Sequence, residues 1–210
     1  MDRYKITFET WDKVAALYQD KFMDLDLYND TYDIFCQLLT KEHPKVLEVG
    51  CGPGNITKYL ISSRPDFEIS AIDIAPNMVK LAKQNNPTAD FKVMDCRHID
   101  SIGDKFDGII CGFCIPYLSK DDCSKFLNDS YHLLINEGFL YFSAIEGNYS
   151  NSKYETGSTG DKCYVYYYKE DHFKNEFAKH NFRLVHSIQK HYPKSDGSNQ
   201  THLIFIVQKY

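Results

Sequence analysis

Length, composition and charge restrict what this chain can be. It has 210 residues, of which 43% are hydrophobic and 25% are charged, a composition typical of a globular protein with its own buried core. Its longest strongly apolar run, residues 203–207, is far shorter than the roughly 18 residues that a membrane span needs. The 24 Lys and Arg residues are outnumbered by 29 Asp and Glu, so the net charge is −5. We therefore expect no membrane partner and no nucleic-acid partner.

Cysteine usage indicates the compartment. The seven cysteines are odd in number and lie mostly inside apolar stretches, which favours reduced core thiols over a disulfide framework. No apolar signal core follows the N-terminal residues, so we predict a cytoplasmic protein. Cys111 and Cys114 have the spacing of a redox pair or half a zinc site, but no second pair lies nearby. We interpret them as free thiols and expect no metal.

The first third of the chain predicts helices. Apolar residues recur at helical spacing over residues 6–22 and again over residues 28–39, so two amphipathic helices are expected before the first strand.

From residue 45 onward, strand-like and helix-like patterns alternate. Such alternation is typical of parallel βαβ units with helices on both faces of the sheet. The predicted strands cover residues 45–49, 68–72, 91–94, 106–111 and 138–144, and the predicted helices cover residues 55–63, 76–84 and 120–134.

The pattern changes after residue 145. Residues 146–162 are predicted to form a loop, 164–168 a short strand and 170–180 a helix. Two strand-like runs, 182–192 and 201–209, are joined by the turn-rich residues 193–199, which predicts an antiparallel hairpin. The fold class is therefore α/β, a doubly wound sheet that is mostly parallel and ends in an antiparallel C-terminal hairpin strand.

A glycine-rich turn follows the first strand. Gly50, Gly52 and Gly54 alternate between a strand and a helix, where they let the chain turn sharply and let a ligand approach the backbone. Glu48 precedes them inside the strand, and a buried carboxylate needs a partner. The alternative is a tight turn that binds nothing.

Acidic residues also end the next two strands. Asp73 ends the second strand and Asp95 the third. Because the carboxyl ends of parallel strands meet at one sheet edge, these acids are expected to converge on a ligand crevice. Each alone is equally well explained as a turn former.

Together these motifs resemble those of class I S-adenosylmethionine (SAM)-dependent methyltransferases. The matching segments are residues 48–54, 73–78, 95–96, 106–110 and 134–140. The resemblance implies a Rossmann-like seven-stranded sheet, SAM as cofactor, and one domain over residues 1–210. Within it, residues 1–43 would form a helical lid, 44–145 the SAM-binding core, and 146–210 the substrate-side insertion and hairpin.

The resemblance further implies roles for individual residues. The loop Gly50–Gly52 would pass under the methionine part of SAM, with Glu48 beneath it, and Asp73 would bind the ribose hydroxyls. Ile74 and Met78 would pack on adenine, and Asp95 with the Cys96 backbone would bind the adenine edge. Cys111 and Phe113 would lie beside the sulfonium, and Tyr18 of the lid would cover the cofactor. The full implied set is Tyr18, Glu48, Gly50, Cys51, Gly52, Asp73, Ile74, Met78, Asp95, Cys96, Cys111 and Phe113.

Three other functions share part of this sequence pattern. A nicotinamide-dependent oxidoreductase needs G-x-G-x-x-G, but position 55 is Asn. Cys114-Ile115-Pro116-Tyr117 resembles the signature of nucleic-acid base methyltransferases only in its last two positions. A SAM-binding sensor or partner protein without turnover stays open.

Acceptor chemistry is expected to depend on positioning, because SAM already carries its leaving group. A small-molecule acceptor and a monomer or homodimer are expected. If a general base is used, the candidates are Tyr117, His172, Tyr168 and His98. Residues 146–162 and the alternating Tyr164, Tyr166 and Tyr168 are expected to select the acceptor.

Overall fold

The computed structural model describes residues 3–194 and 197–210. The helices are α1 (Arg3–Lys13), α2 (Ala15–Phe22), α3 (Asn29–Leu38), α4 (Asn55–Ser63), α5 (Pro76–Asn85), α6 (Lys120–Leu133) and α7 (Glu170–Lys179). The strands are β1 (Lys45–Val49), β2 (Glu68–Asp73), β3 (Asp90–Val93), β4 (Phe106–Cys111), β5 (Leu134–Ile145), β6 (Lys153–Thr156), β7 (Lys162–Val165), β8 (Phe182–Pro193) and β9 (Asn199–Lys209).

Seven of these strands form the main sheet, in the order β3-β2-β1-β4-β5-β9-β8. The pairs from β3 to β5 are parallel, whereas β9 is antiparallel to both of its neighbours. The predicted doubly wound α/β fold with an antiparallel C-terminal strand is therefore confirmed. Strands β6 and β7 pair with each other outside this sheet.

Both faces of the sheet carry a packed layer of helices. On one face, Phe126 of α6 and Phe173 of α7 belong to a cluster that is almost fully buried. On the other face, Phe35 of α3 and Leu60 of α4 are completely buried. Each such side chain contributes about 1.5–3 kcal/mol through burial, so the sheet is a rigid support for the loops at its carboxyl edge. No helix in the part of the chain described is both long and apolar enough to cross a bilayer.

The structure differs from the sequence-based expectations at three places. The predicted helix over residues 6–22 is divided at Val14, whose ψ of 11° leaves helical geometry. Strand β5 begins at Leu134 rather than 138, because Leu134 pairs with Phe106 across a bulge. The hairpin β8–β9 forms as predicted and is not among these differences; Ser195 and Asp196 of its predicted turn lie outside the described residues.

The third difference concerns residues 146–168, predicted as a loop followed by a strand. Residues 153–156 instead form β6, which pairs with β7 through a turn that includes Gly160 at φ +82°. The predicted strand over 164–168 ends at Val165, and Tyr168 bonds to Ile145 of the main sheet instead.

The turn that starts α4 requires glycine at position 54. Gly54 has φ +85°, and an added Cβ would lie 2.4 Å from Asn86 Nδ2 and 3.3 Å from Ala82 Cα. The Asn86 amide is held in place because it donates to the Gly54 carbonyl at 2.9 Å.

We predict that Gly54→Ala lowers the free energy of unfolding by about 1–3 kcal/mol, through backbone strain and this clash. Urea denaturation measures the change. Gly103→Ala is the matched control, since no atom lies within 4 Å of its added Cβ, and it should stay within about 0.5 kcal/mol of the parent protein. Equal stability of both variants would contradict this explanation of the turn.

Candidate active site

The glycine turn is bonded directly to the neighbouring strand. The backbone N–H groups of Gly50 and Cys51 donate to the Ile72 carbonyl at 2.8 and 3.0 Å. The Gly50 side of the turn lies against Cys114, since an added Cβ at Gly50 would be 3.1 Å from the Cys114 Cβ. The turn is therefore fixed between the ends of β2 and β4.

Asp73 joins this turn to the start of α5. Its carboxylate accepts hydrogen bonds from the Gly52 and Ala75 N–H groups, both at 2.9 Å. Burial raises the pKa of Asp73, and these backbone donors partly offset that effect. Each carboxylate oxygen keeps a further lone pair for an added donor, so a ligand hydroxyl can bind where the acid ends β2.

A cavity lies above the turn and Asp73. Its lining is mostly apolar, with contributions from α1, the strand ends and the segment after β4. The lining residues are Thr7, Phe8, Trp11, Tyr18, Gly50, Gly52, Asp73, Ile74, Met78, Met94, Cys96, Gly112, Phe113, Cys114, Tyr117 and Leu118. We call this the Asp73 cavity.

The N-terminal helices cover the Asp73 cavity and are anchored on two sides. Asp12 of α1 accepts from the backbone and side-chain amides of Asn77 at 2.7 and 3.0 Å. On the opposite side, Thr7 Oγ1 accepts from the Tyr164 N–H at 3.0 Å. Tyr18 of α2 lies over the glycine turn, 3.6 Å from an added Cβ at Gly52.

Three rings, Trp11, Tyr18 and Tyr117, form what we call the aromatic junction. The Trp11 ring centroid lies 5.5 Å from each tyrosine ring, in edge-on arrangements. All three residues line the Asp73 cavity and also two neighbouring cavities. Trp11 Nε1 is buried and has no hydrogen-bond partner among the described residues. The junction therefore lies where three cavities meet, and Trp11 offers a donor for a bound molecule.

The second cavity, of about 250 Å³, extends over the ends of β4, β5 and β9. Its wall includes Tyr28, Phe113, Tyr192 and His202, whose rings contact one another at 4.9–6.0 Å. Burial lowers the pKa of His202 to about 4, so this imidazole is neutral at neutral pH. We call this the His202 cavity.

A third cavity lies between α1–α2 and the β6–β7 hairpin. Cys163 and Val165 line it, together with Glu155 and Asp161. Asp161 is already paired with Lys13 at 2.8 Å, so its charge is compensated within the protein.

Glu48 lies beneath the glycine turn and is completely buried. Its Oε2 accepts from the Thr57 hydroxyl, whereas Oε1 has no partner among the residues described. Burial raises the pKa of Glu48 to about 8, and the nearby Asp73 carboxylate adds to this rise. The side chain is therefore mostly protonated at neutral pH in the protein alone.

Most of the sequence-predicted cofactor residues meet at one place. Tyr18, Gly50, Gly52, Asp73, Ile74, Met78, Cys96 and Phe113 all line the Asp73 cavity. Glu48 lies under the turn, as the resemblance implied. Cys51 and Cys111 are core residues, at most 1% exposed, and do not line the cavities.

Asp95 is also outside the cavity lining, contrary to the expectation that its side chain addresses a ligand. Its carboxylate accepts from Arg97 Nε at 2.9 Å and from the Arg97 backbone at 2.9 Å. Burial opposes its ionisation, but these bonds outweigh burial and lower the Asp95 pKa. Arg97 in turn lies 4.1 Å over the Tyr4 ring, so Asp95 orders the turn after β3.

Of the candidate bases, only Tyr117 reaches the cavities. Tyr168 is fully buried and donates to the Leu118 carbonyl at 2.5 Å. His172 stacks on Tyr168 at 5.2 Å, and His98 is exposed; neither lines the three cavities. Burial raises the pKa of Tyr117 well above its usual value, so its hydroxyl stays protonated.

The alternating tyrosines Tyr164, Tyr166 and Tyr168, which were expected to select the acceptor, do not line the three cavities. Tyr166 is 5% exposed, packs on Tyr149 at 5.7 Å and donates its backbone N–H to the Pro116 carbonyl. It supports the segment after β4 from behind. The alternate residues Cys163 and Val165 face a cavity instead.

Sequence reasoning missed the ring cluster around His202. The one available signal was a histidine immediately before the apolar run 203–207, where a buried polar side chain needs partners. Those partners come from the start of α3, from the segment after β4 and from the neighbouring strand β8, which no local pattern reveals.

The cysteines are all free thiols. Cys114 Sγ lies 3.4 Å from Cys96 Sγ. Hydrogen bonding with Cys114 and burial raise the pKa of Cys96, whereas hydrogen bonding with Cys111 and burial raise the pKa of Cys114. Within the described residues, no three potential ligands are placed to hold a metal ion.

Comparison with known proteins identifies this architecture. The family described as "Methyltransferase domain" matches residues 46–138. A carboxy-S-adenosyl-L-methionine synthase of Campylobacter hominis is 28% identical over 144 residues, covering 65% of this chain and 61% of the relative. A malonyl-[acyl-carrier protein] O-methyltransferase of Acetivibrio thermocellus is 32% identical over 106 residues, covering 50% and 36%.

Among solved structures, the 1,6-didemethyltoxoflavin-N1-methyltransferase of Burkholderia thailandensis has the same fold. The TM-score is 0.73 at 17% identity, covering 98% of this chain and 88% of that one. The chain spans only 36% to 61% of the length of the curated relatives named above. The resemblance to class I SAM-dependent methyltransferases is confirmed, and the comparisons support that enzyme class and SAM as its cofactor.

We predict that Glu48 makes the protein less stable as the pH rises. A pKa raised from 4.5 to about 8 means that the folded state holds a proton which the unfolded state has released, so stability falls through this range. Between pH 6.5 and 8 the loss should be about 1.5 kcal/mol. His202 acts in the opposite direction, because its pKa is lowered from 6.5 and the unfolded state therefore binds more protons at the low end of this window. The loss of about 1.5 kcal/mol is the contribution of Glu48 alone, and comparison with Glu48→Gln isolates it.

Urea denaturation at the two pH values tests this, with Glu48→Gln expected to remove the loss because the amide does not ionise. Glu68→Gln at the exposed start of β2 serves as the control and should keep it. The same pH dependence in Glu48→Gln would show that another group is responsible.

Proposed function

We propose that this chain, a member of the class I SAM-dependent methyltransferases, transfers a methyl group from SAM to a small-molecule acceptor. The supporting observation is the aromatic junction, which connects the Asp73 cavity to the His202 cavity. A donor held beside Asp73 and an acceptor held beside His202 would meet at these rings. Names of the relatives include both an O- and an N-methyltransferase, so they support a small acceptor without selecting its atom.

The residues present fit SAM. Asp73 ends β2 with lone pairs available for ribose hydroxyls, and Ile74, Met78 and Met94 give an apolar lining beside it. Because Gly50 and Gly52 have no side chains, a ligand can approach the backbone of the turn closely. Trp11 Nε1 is a buried donor without a partner among the described residues, and it lines the cavity, so an acceptor atom of a bound molecule would satisfy it.

The mechanism depends on positioning. Bound SAM supplies an activated methyl group on a sulfonium. The chain's own residues bind the nucleoside at Asp73, hold the acceptor against the aromatic junction, and exclude water with α1 and α2. Such alignment of two reactants can supply much of the rate acceleration. Tyr117 acts through its ring and its hydroxyl donor, because its raised pKa keeps the hydroxyl protonated.

We further propose that the N-terminal helices act as the lid, since Tyr18 and Trp11 come from them and line the Asp73 cavity. A cytoplasmic location fits seven free thiols, and a net charge of −5 disfavours nucleic acid as the acceptor.

We predict that Asp73→Ala weakens SAM binding about 10- to 100-fold, because two hydrogen bonds to a charged acceptor are lost. Titration calorimetry with SAM and with S-adenosylhomocysteine measures the effect. Asp90→Ala is the control, since the exposed Asp90 side chain is paired with the exposed Lys92 at 3.2 Å, and its affinity should equal that of the parent. Undiminished binding in Asp73→Ala would contradict the proposed nucleoside site.

We also predict turnover. Incubating the protein with methyl-labelled SAM and a metabolite extract should give a labelled small-molecule product together with S-adenosylhomocysteine. SAM binding without product would instead favour a sensor or partner protein that binds SAM without turnover.

A further inference from the structure

A hydrogen-bonded chain of three polar side chains is built into the wall of the His202 cavity. The Tyr28 hydroxyl lies 2.7 Å from His202 Nδ1, and His202 Nε2 lies 3.0 Å from Gln200 Oε1. Tyr28 and His202 are 4% and 5% exposed, and all three residues line the cavity.

The direction of these bonds follows from their chemistry. An amide oxygen only accepts, so His202 Nε2 carries the proton that bonds to Gln200. A neutral imidazole then has its lone pair on Nδ1, and Tyr28 must donate to it. The tyrosine oxygen keeps its own lone pairs for a donor in the cavity. When Tyr28 accepts a proton from that donor, it can pass its own proton to His202 Nδ1.

The charges around the cavity favour an oxygen acceptor. Lys21 is the only charged side chain among the described residues that line it, and no carboxylate does so. An ammonium group would be uncompensated there, next to a cationic sulfonium. A neutral hydroxyl that gives up its proton as it attacks the methyl group gains negative charge on its oxygen, and this charge is stabilised by the same surroundings.

We propose that the acceptor is a small phenol-type hydroxyl compound, and that Tyr28 relays its proton to His202. This inference rests on the proposed methyltransferase function. Tyr28 touches the acceptor and is the catalytic residue, whereas His202 acts through it as a positioning residue and final proton acceptor.

The step is balanced in atoms and charge. The acceptor oxygen forms a bond to the methyl carbon while the carbon–sulfur bond breaks and its electron pair stays on sulfur. The acceptor's proton passes to the Tyr28 oxygen as the Tyr28 proton passes to His202 Nδ1. The resulting imidazolium keeps its bond to Gln200 and later releases one proton to water.

The test compares acceptors of different acidity. Phenol needs its proton removed, whereas 4-nitrophenol is largely ionised near neutral pH. Tyr28→Phe keeps the ring and its packing but removes the relay, so kcat with phenol should fall about 100-fold or more. The loss with 4-nitrophenol should be much smaller, and SAM affinity should be unchanged.

Two further variants separate proton transfer from structure. His202→Gln can still accept the Tyr28 hydrogen bond but cannot hold an extra proton, so it should show the same acceptor dependence as Tyr28→Phe. Tyr141→Phe removes another buried hydroxyl, which bonds to Thr31 at 3.0 Å away from the cavities, and should leave both rates unchanged.

A readout without turnover uses 4-nitrophenol absorbance in the S-adenosylhomocysteine complex. Bound dye should ionise at lower pH than free dye in the parent protein, and this shift should be lost in Tyr28→Phe. Methylation of amines only, or equal losses with both phenols, would overturn the inference while leaving the methyltransferase proposal intact. Absence of any methylated product, with no dye shift, would contradict both.

Discussion

The Asp73 carboxylate is the group on which the candidate active site depends. It accepts hydrogen bonds from Gly52 in the turn after β1 and from Ala75 at the start of α5, so two separate loops share one anion. A buried acid with two backbone donors is held in one orientation. That orientation sets the shape of the glycine turn, and Tyr18 packs directly over this turn. The lid, the turn and the ligand cavity are therefore positioned by one carboxylate.

Burial shifts the pKa values of two polar groups near the site in opposite directions. Glu48 is buried beneath the turn with a pKa raised to about 8, while His202 is buried across the aromatic junction with a pKa lowered to about 4. Burial favours the neutral form of both groups. Among the described residues, the charges that line the two cavities are therefore those of Asp73 and Lys21, while Glu48 and His202 are neutral. Perturbed groups of this kind are typical of functional sites.

Much of the fold was predictable because its elements have strong local patterns. The bounds of β1, α4 and β4 agree with the sequence prediction to the residue, since each is a short apolar run or helical repeat limited by Gly or Pro. The β6–β7 hairpin was not predicted, because β6 has little apolar alternation and is stabilised by pairing with β7. Asp95 was placed at the correct strand end, but its ion pair with Arg97 depends on side-chain geometry. The Tyr28–His202 pair joins residues 174 positions apart, and no local pattern could reveal it.

The central claim is that one nucleoside site at Asp73 and one acceptor site at His202 meet at the aromatic junction. A crystal structure of the full chain with S-adenosylhomocysteine and 4-nitrophenol tests it most directly. We expect ribose hydroxyls bonded to Asp73 and the phenol oxygen within hydrogen-bonding distance of Tyr28. The thioether sulfur should lie beside Trp11, Tyr18 and Tyr117. A nucleoside bound away from Asp73, or a phenol outside the His202 cavity, would contradict it.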